Sequence, residues 1–155
     1  MKIRALVPVL LVSVGTMALA AAQSSREPMS QGEYVPRLGD IMAGKQWRHI
    51  KLWFAGRQRN WDLAAYELAQ IKASLADAAT LYSNIPVSDV TVMSAPIQSI
   101  NKAIESKDGV SFAKAFSDLT AGCNSCHREM GREFITIQVP AVSPFSDQLF
   151  ALPKQ

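Results

Sequence analysis

Cys123-Asn124-Ser125-Cys126-His127 sets two thiols three residues apart and an imidazole directly after the second. Cys-x-x-Cys-His is the spacing at which two thiols add to the two vinyl groups of one haem, and the histidine then reaches the iron. The thioethers fix the porphyrin's position, and the imidazole supplies the proximal field that haem iron needs. Rival readings of a Cys-x-x-Cys pair ask for partners that this sequence does not offer. Structural zinc takes four ligands, and the whole supply of thiols and imidazoles is Cys123, Cys126, His127 and His49, with adjacent Cys126 and His127 poorly placed to clasp one small ion. A thioredoxin-like motif opens a helix after a strand in a βαβ unit, and no such unit is readable nearby. The expected cofactor is therefore one covalent haem c, anchored by Cys123 and Cys126 and ligated by His127.

The motif sits inside a helical pattern running from about Val110 to Phe134, with Phe112, Phe116, Leu119, Cys123, His127 and Met130 on one stripe. At about 100° per residue, Cys126 and His127 fall roughly 60° to one side and about 40° to the other of Cys123, so all three attachment groups share the buried face. Haem and core then compete for one surface, and both are satisfied if the haem is part of the core of a helix bundle. Gly122, beside the first thiol, lacks a side chain where the porphyrin would crowd.

Three further helices are expected upstream. Leu38, Ile41, Met42, Leu52 and Trp53 recur at helical spacing between Arg37 and Ala55, with Pro36 at the entrance and Gly56 at the exit. Asn60 is a good N-cap for a second helix carrying Ala64, Leu68, Ile71, Leu75, Ala78 and Tyr82 in alternating steps of four and three. Pro86 interrupts it, and a third helix carries Met93, Ile97, Ile100 and Ile104, followed by the turn signal Asp108-Gly109. The fold class is thus all-α: an antiparallel four-helix bundle over residues 36–134 that encloses the haem. Residues 135–155 leave the helical pattern. Ile135, Ile137 and Val139 alternate, then Pro140, Pro144 and Pro153 punctuate Phe145, Leu149 and Phe150, which predicts an extended tail packed on the bundle.

Residues 1–22 read as a secretory signal peptide: Lys2 and Arg4, an apolar run from Ala5, then small residues ending in Ala20-Ala21-Ala22. The uncharged stretch from Ala5 to Ala22, about 18 residues, contains Pro8 and Gly15 and suits cleavage better than a membrane anchor. Export to a bacterial periplasm fits, because haem is attached to such motifs after export. Residues 23–35 form a polar arm. Of the 16 Lys and Arg, Lys2 and Arg4 leave with the signal, so 14 face 13 acids, which argues against a nucleic-acid partner.

Four amphipathic helices with the attachment pentapeptide in the last one resemble the class II c-type cytochromes, cytochrome c′ and its low-spin relatives. The similarity covers roughly Arg37 to Phe134 as architecture, and the only specific motif is Cys123 to His127. In that family a basic residue commonly follows the histidine by four positions, where this chain has Gly131, and the long tail is a second departure. The resemblance implies that a methionine on the first helix makes the iron six-coordinate, as in electron carriers, whereas an apolar residue there leaves it open to small gases. It also implies a possible homodimer through the first two helices, which the aromatic load of Trp47, Trp53 and Trp61 permits.

The sixth iron ligand has two candidates, Met42 and His49, seven residues apart on one inward stripe of the first helix. In an up-down-up-down bundle the end of helix one lies level with the start of helix four. His127, about 17 residues into helix four, then faces a residue about 15 to 17 before Gly56, near Met42, with His49 about 11 Å closer to the loop. A shift of register would favour His49 instead. The expected function is soluble one-electron transfer to a redox protein partner, without enzymatic activity of its own. The alternative is a haem with an open or displaceable distal position that binds or reacts with NO or CO.

Overall fold

The computed structural model describes residues 34–85 and 91–152. The signal peptide expected over 1–22, nearly all of the arm expected over 23–35, and the interruption around Pro86 lie outside them. Four helices and no strand form the regular structure among the described residues: α1 (Leu38–Arg57), α2 (Trp61–Leu81), α3 (Ser94–Glu105) and α4 (Gly109–Glu129). Each helix packs on the next and α4 closes back on α1, the arrangement of a four-helix bundle.

Local chemistry sets the helix ends. Asn60 Oδ1 accepts the Leu63 N–H at 3.2 Å and starts α2. Asp108 Oδ1 accepts from Val110 N–H at 2.9 Å and Ser111 N–H at 3.2 Å, so the Asp108-Gly109 pair, expected as a turn, is the N-cap and first residue of α4. The left-handed residue of that connection is Lys107, with φ 55°. The termination of α4 also differs from the sequence expectation. The helix stops at Glu129 because Gly131, at φ 64°, lets its own N–H bond Arg128 O at 3.0 Å and the Arg132 N–H bond His127 O at 2.6 Å. Those two bonds define a Schellman stop, and the glycine supplies the left-handed conformation at little cost. The chain is thereby turned back toward the helix it has just left.

Most of the core falls on the stripes that periodicity marked, although Ala55 joins it from α1 while Leu38, Ile41, Met42 and Trp53 are only half-buried. Leu52 and Ala55 of α1, Ala64, Leu68 and Ile71 of α2, Ile100 and Ile104 of α3, and Phe112, Phe116 and Leu119 of α4 are all buried. Trp53 and Trp61 pack on Phe112, with ring centroids 6.4 and 6.0 Å away. One buried polar contact was not foreseen. Glu67, only 1% exposed, accepts from Arg48 at 3.1 Å and ties α2 to α1.

Gly56, read as a helix exit, lies within α1 and has a packing role. A Cβ built there would fall 2.2 Å from the Phe112 ring, so α1 and α4 can approach only because position 56 carries no side chain. Gly56→Ala should therefore cost about 3 kcal/mol despite alanine's better helix propensity, since an aromatic ring in a closed core must move to admit one methyl. Urea unfolding of the two proteins measures this; an unchanged or raised midpoint would refute the packing argument.

Candidate haem site

The α1–α4 register can be read from three contacts. His49 Nε2 lies 2.9 Å from Thr120 Oγ1, the Trp53 ring sits 4.9 Å from Phe116, and Gly56 abuts Phe112. Each turn forward on α1 is matched by a turn backward on α4, so the helices are antiparallel. Continuing two turns toward the start of α1 brings Met42 level with His127, about 10 Å along the axis from the His49–Thr120 level.

At that level the bundle opens into a cavity of about 500 Å³, within the range of cofactor pockets. Cys123, Cys126 and His127 line it from α4, and Met42, Lys45 and His49 from α1. Leu75, Ala78, Met93, Ile135 and Ile137 complete a mostly apolar wall. The donor set fits a covalently tethered porphyrin: two thiols three residues apart and an imidazole directly after the second, all lining the same space. Burial pushes the Cys123 thiol up to about 11, against the opposing pull of nearby Lys45. A bare metal ion fits less well, since no three His, Cys, Asp or Glu residues converge on an ion site among the described residues.

The His127 imidazole is held in one orientation. Its Nδ1 lies 2.7 Å from the Ile135 carbonyl, which can only accept, so the ring proton is on Nδ1 and the Nε2 lone pair remains for a metal. The acceptor comes from the segment after the Gly131 stop, a role that hydropathy could not reveal.

His49 is engaged differently. Thr120 donates its hydroxyl to Phe116 O at 2.9 Å and so accepts from His49 Nε2, whose ring also lies against Phe116 at a centroid distance of 4.4 Å. His49 is 4% exposed, and burial pushes its pKa down to about 4. The unfolded chain takes up this proton near 6.5 and the folded chain does not. The stability contributed by neutral His49 is thus complete above about pH 6.5 and falls by about 3 kcal/mol as pH drops to 4. Urea midpoints compared between pH 7 and pH 4.5 should fall more steeply for the native protein than for His49→Gln; equal falls would reject this assignment.

Lys45 was not anticipated, although Met42, Lys45, His49 and Leu52 step by three, four and three along one stripe, and a lysine in that series is its signal. It is only 9% exposed, and its Nζ donates to Met42 Sδ at 3.4 Å. Burial lowers its pKa, opposed by the thiols of Cys123 and Cys126. Gly122, expected to make room for the porphyrin, makes room for Met93, whose sulfur would lie 2.7 Å from a Cβ there. Met93 in turn lines the cavity. Gly44 is exposed, with open space where its Cβ would be. Arg132 reaches the cavity wall, and Arg128 faces solvent. Compared with protein-family models, curated proteins and solved structures, the chain finds no match in any of the three.

Proposed function

We propose that this chain is an exported mono-haem c-type cytochrome of the class II kind that serves as a one-electron carrier. The observation that carries the reading is the convergence of Cys123, Cys126 and His127 on one apolar cavity, with His127 Nε2 left available by the Nδ1 bond to Ile135. A haem held there supplies a single iron that cycles between ferric and ferrous states. The chain's own contributions are positional. Cys123 and Cys126 would tether the group, His127 would offer its Nε2 lone pair, Met42 lies at the same level on α1, and the apolar walls would shield most of the group from water. His49 is committed to Thr120, which leaves Met42 the better candidate for the sixth position. Among the described residues no helix is long and apolar enough to cross a membrane, which is compatible with a carrier released after export.

One observation favours the alternative of a displaceable distal ligand. Lys45 Nζ engages the same Met42 sulfur that would bind iron, and a hydrogen bond that draws electron density from the thioether makes it a weaker ligand. The absorption spectrum of the haem-loaded protein, with and without carbon monoxide, decides between the two. The carrier reading requires a low-spin spectrum, the weak near-infrared sulfur-to-iron band, and little carbon monoxide binding. A high-spin ferrous form that binds carbon monoxide readily would replace it with the gas-binding reading, and protein without covalent haem would end both.

A further inference from the structure

The two residues between the cysteines of such a motif are spacers, yet Asn124 is engaged on both its polar atoms. Its Nδ2 donates to Ile137 O at 2.8 Å, and its Oδ1 accepts the Ile137 N–H at 2.7 Å. One side-chain amide thus pairs with both backbone groups of one residue, as a neighbouring strand would. Two residues upstream is the Ile135 carbonyl that accepts from His127 Nδ1. Ile135 is itself fixed from the other side, its N–H bonding Arg132 O at 2.9 Å just past the Gly131 stop. Further along, Phe145 lies edge-on to Trp47 at 5.4 Å, and Phe150, 8% exposed, packs on Phe54 at 5.7 Å.

We propose that Asn124 is a positioning residue for the iron ligand, clamping the segment after α4 so that the Ile135 carbonyl holds the His127 ring. The inference rests on reading His127 as an iron ligand. The second nitrogen of a metal-bound imidazole commonly donates to a carbonyl or carboxylate, which fixes the ring plane and raises its basicity. In this chain the acceptor is on a segment with no secondary structure of its own, and it stays in place through the Asn124 clamp on one side and the helix stop on the other. Without the clamp, the imidazole donates less electron density, the ferric state loses more stabilisation than the ferrous state, and the midpoint potential rises.

The test uses the full haem-loaded chain. Asn124→Ala should keep its covalent haem and helical content, while the equilibrium constant for reduction rises about tenfold, equivalent to about 59 mV for a one-electron couple. Its ferric low-spin electron paramagnetic resonance signal should broaden as the ring plane loses its constraint. Asn124→Ser keeps a short polar side chain of unchanged charge but no amide to pair both Ile137 backbone groups, so its shift should be in the same direction. It also supplies the reading if the alanine variant does not fold. Phe150→Ala loosens the distant end of the segment and should leave the potential unchanged. Native potentials in both Asn124 variants, or an equal shift in Phe150→Ala, would overturn the role of Asn124. Native protein lacking covalent haem would instead remove the reading of the motif itself.

Discussion

Met42→Ala is expected to turn a six-coordinate, low-spin iron into an open, high-spin one that binds carbon monoxide, while His49→Ala keeps the low-spin spectrum and lowers stability by about 2 kcal/mol. The asymmetry follows from the α1–α4 register. Contacts at His49–Thr120, Trp53–Phe116 and Gly56–Phe112 advance on one helix as they retreat on the other, and the same progression carries Met42 to the level of His127. His49 stands two turns away, about 10 Å along the axis, too far to share an iron with His127. For His49 to bind there, its Nε2 would also have to leave Thr120 and the ring would have to leave Phe116. Removing His49 instead deletes a buried hydrogen bond and leaves space beside an aromatic ring, a loss of stability without a spectral consequence. Absorption spectra of the two variants, with carbon monoxide added to the reduced forms, separate the cases. Loss of the low-spin form in His49→Ala alone would mean that the helices slide by two turns when haem is bound. Adding Lys45→Leu to Met42→Ala removes the amine at that level without supplying a new donor; a low-spin spectrum kept by the single variant and lost by the double would identify Lys45 as a substitute ligand.

How much of this was legible in the sequence depends on the range of each interaction. Buried stripes were readable because they repeat: Phe112, Phe116 and Leu119, or Ala64, Leu68 and Ile71, recur every three or four residues and no loop does so. The antiparallel pairing of α1 with α4 was readable too, because an up-down-up-down order of four helices sets the last beside the first. Gly131 could have been recognised as a helix stop, since a glycine past the last apolar position is the usual left-handed terminator. Lys45 was visible as a lysine on an otherwise inward stripe, and its stem hides among apolar neighbours while its amine finds a sulfur. Glu67 gave the same signal, three residues after Ala64 and four before Ile71, but its partner Arg48 was not readable because it belongs to another helix. The Asn124 clamp was least legible. It joins a side-chain amide to the backbone of a residue 13 positions later, and neither composition nor period encodes such a bond.

Cys123→Ala with Cys126→Ala should abolish covalent haem altogether and with it most of the cooperative unfolding of the bundle. The first half is stoichiometric chemistry. Each thioether forms when one S–H adds across one vinyl double bond, and alanine offers no sulfur to add. The second half follows from where the group would sit. Buried His49, Ala78 and Met93, half-buried Met42, Leu75 and Ile137, and the more exposed Ile135 line a space of about 500 Å³. At about 24 cal/mol per Å³ for a core cavity, leaving this space unfilled costs on the order of 10 kcal/mol as an upper limit, since water can enter at the rim. That is comparable with the whole stability of a domain, roughly 5 to 15 kcal/mol. The α1–α4 contact around Phe112 and Phe116 lies away from the cavity and should survive, so the expected product is a partly helical, loosely packed chain. Haem staining after denaturing electrophoresis measures the first effect, and a broadened thermal transition by circular dichroism the second. Single variants should fall between, each holding haem by one thioether. A double variant that retains covalent haem would overturn the attachment site, and one that lacks haem yet unfolds as sharply as the native protein would show that the bundle closes this space with its own side chains.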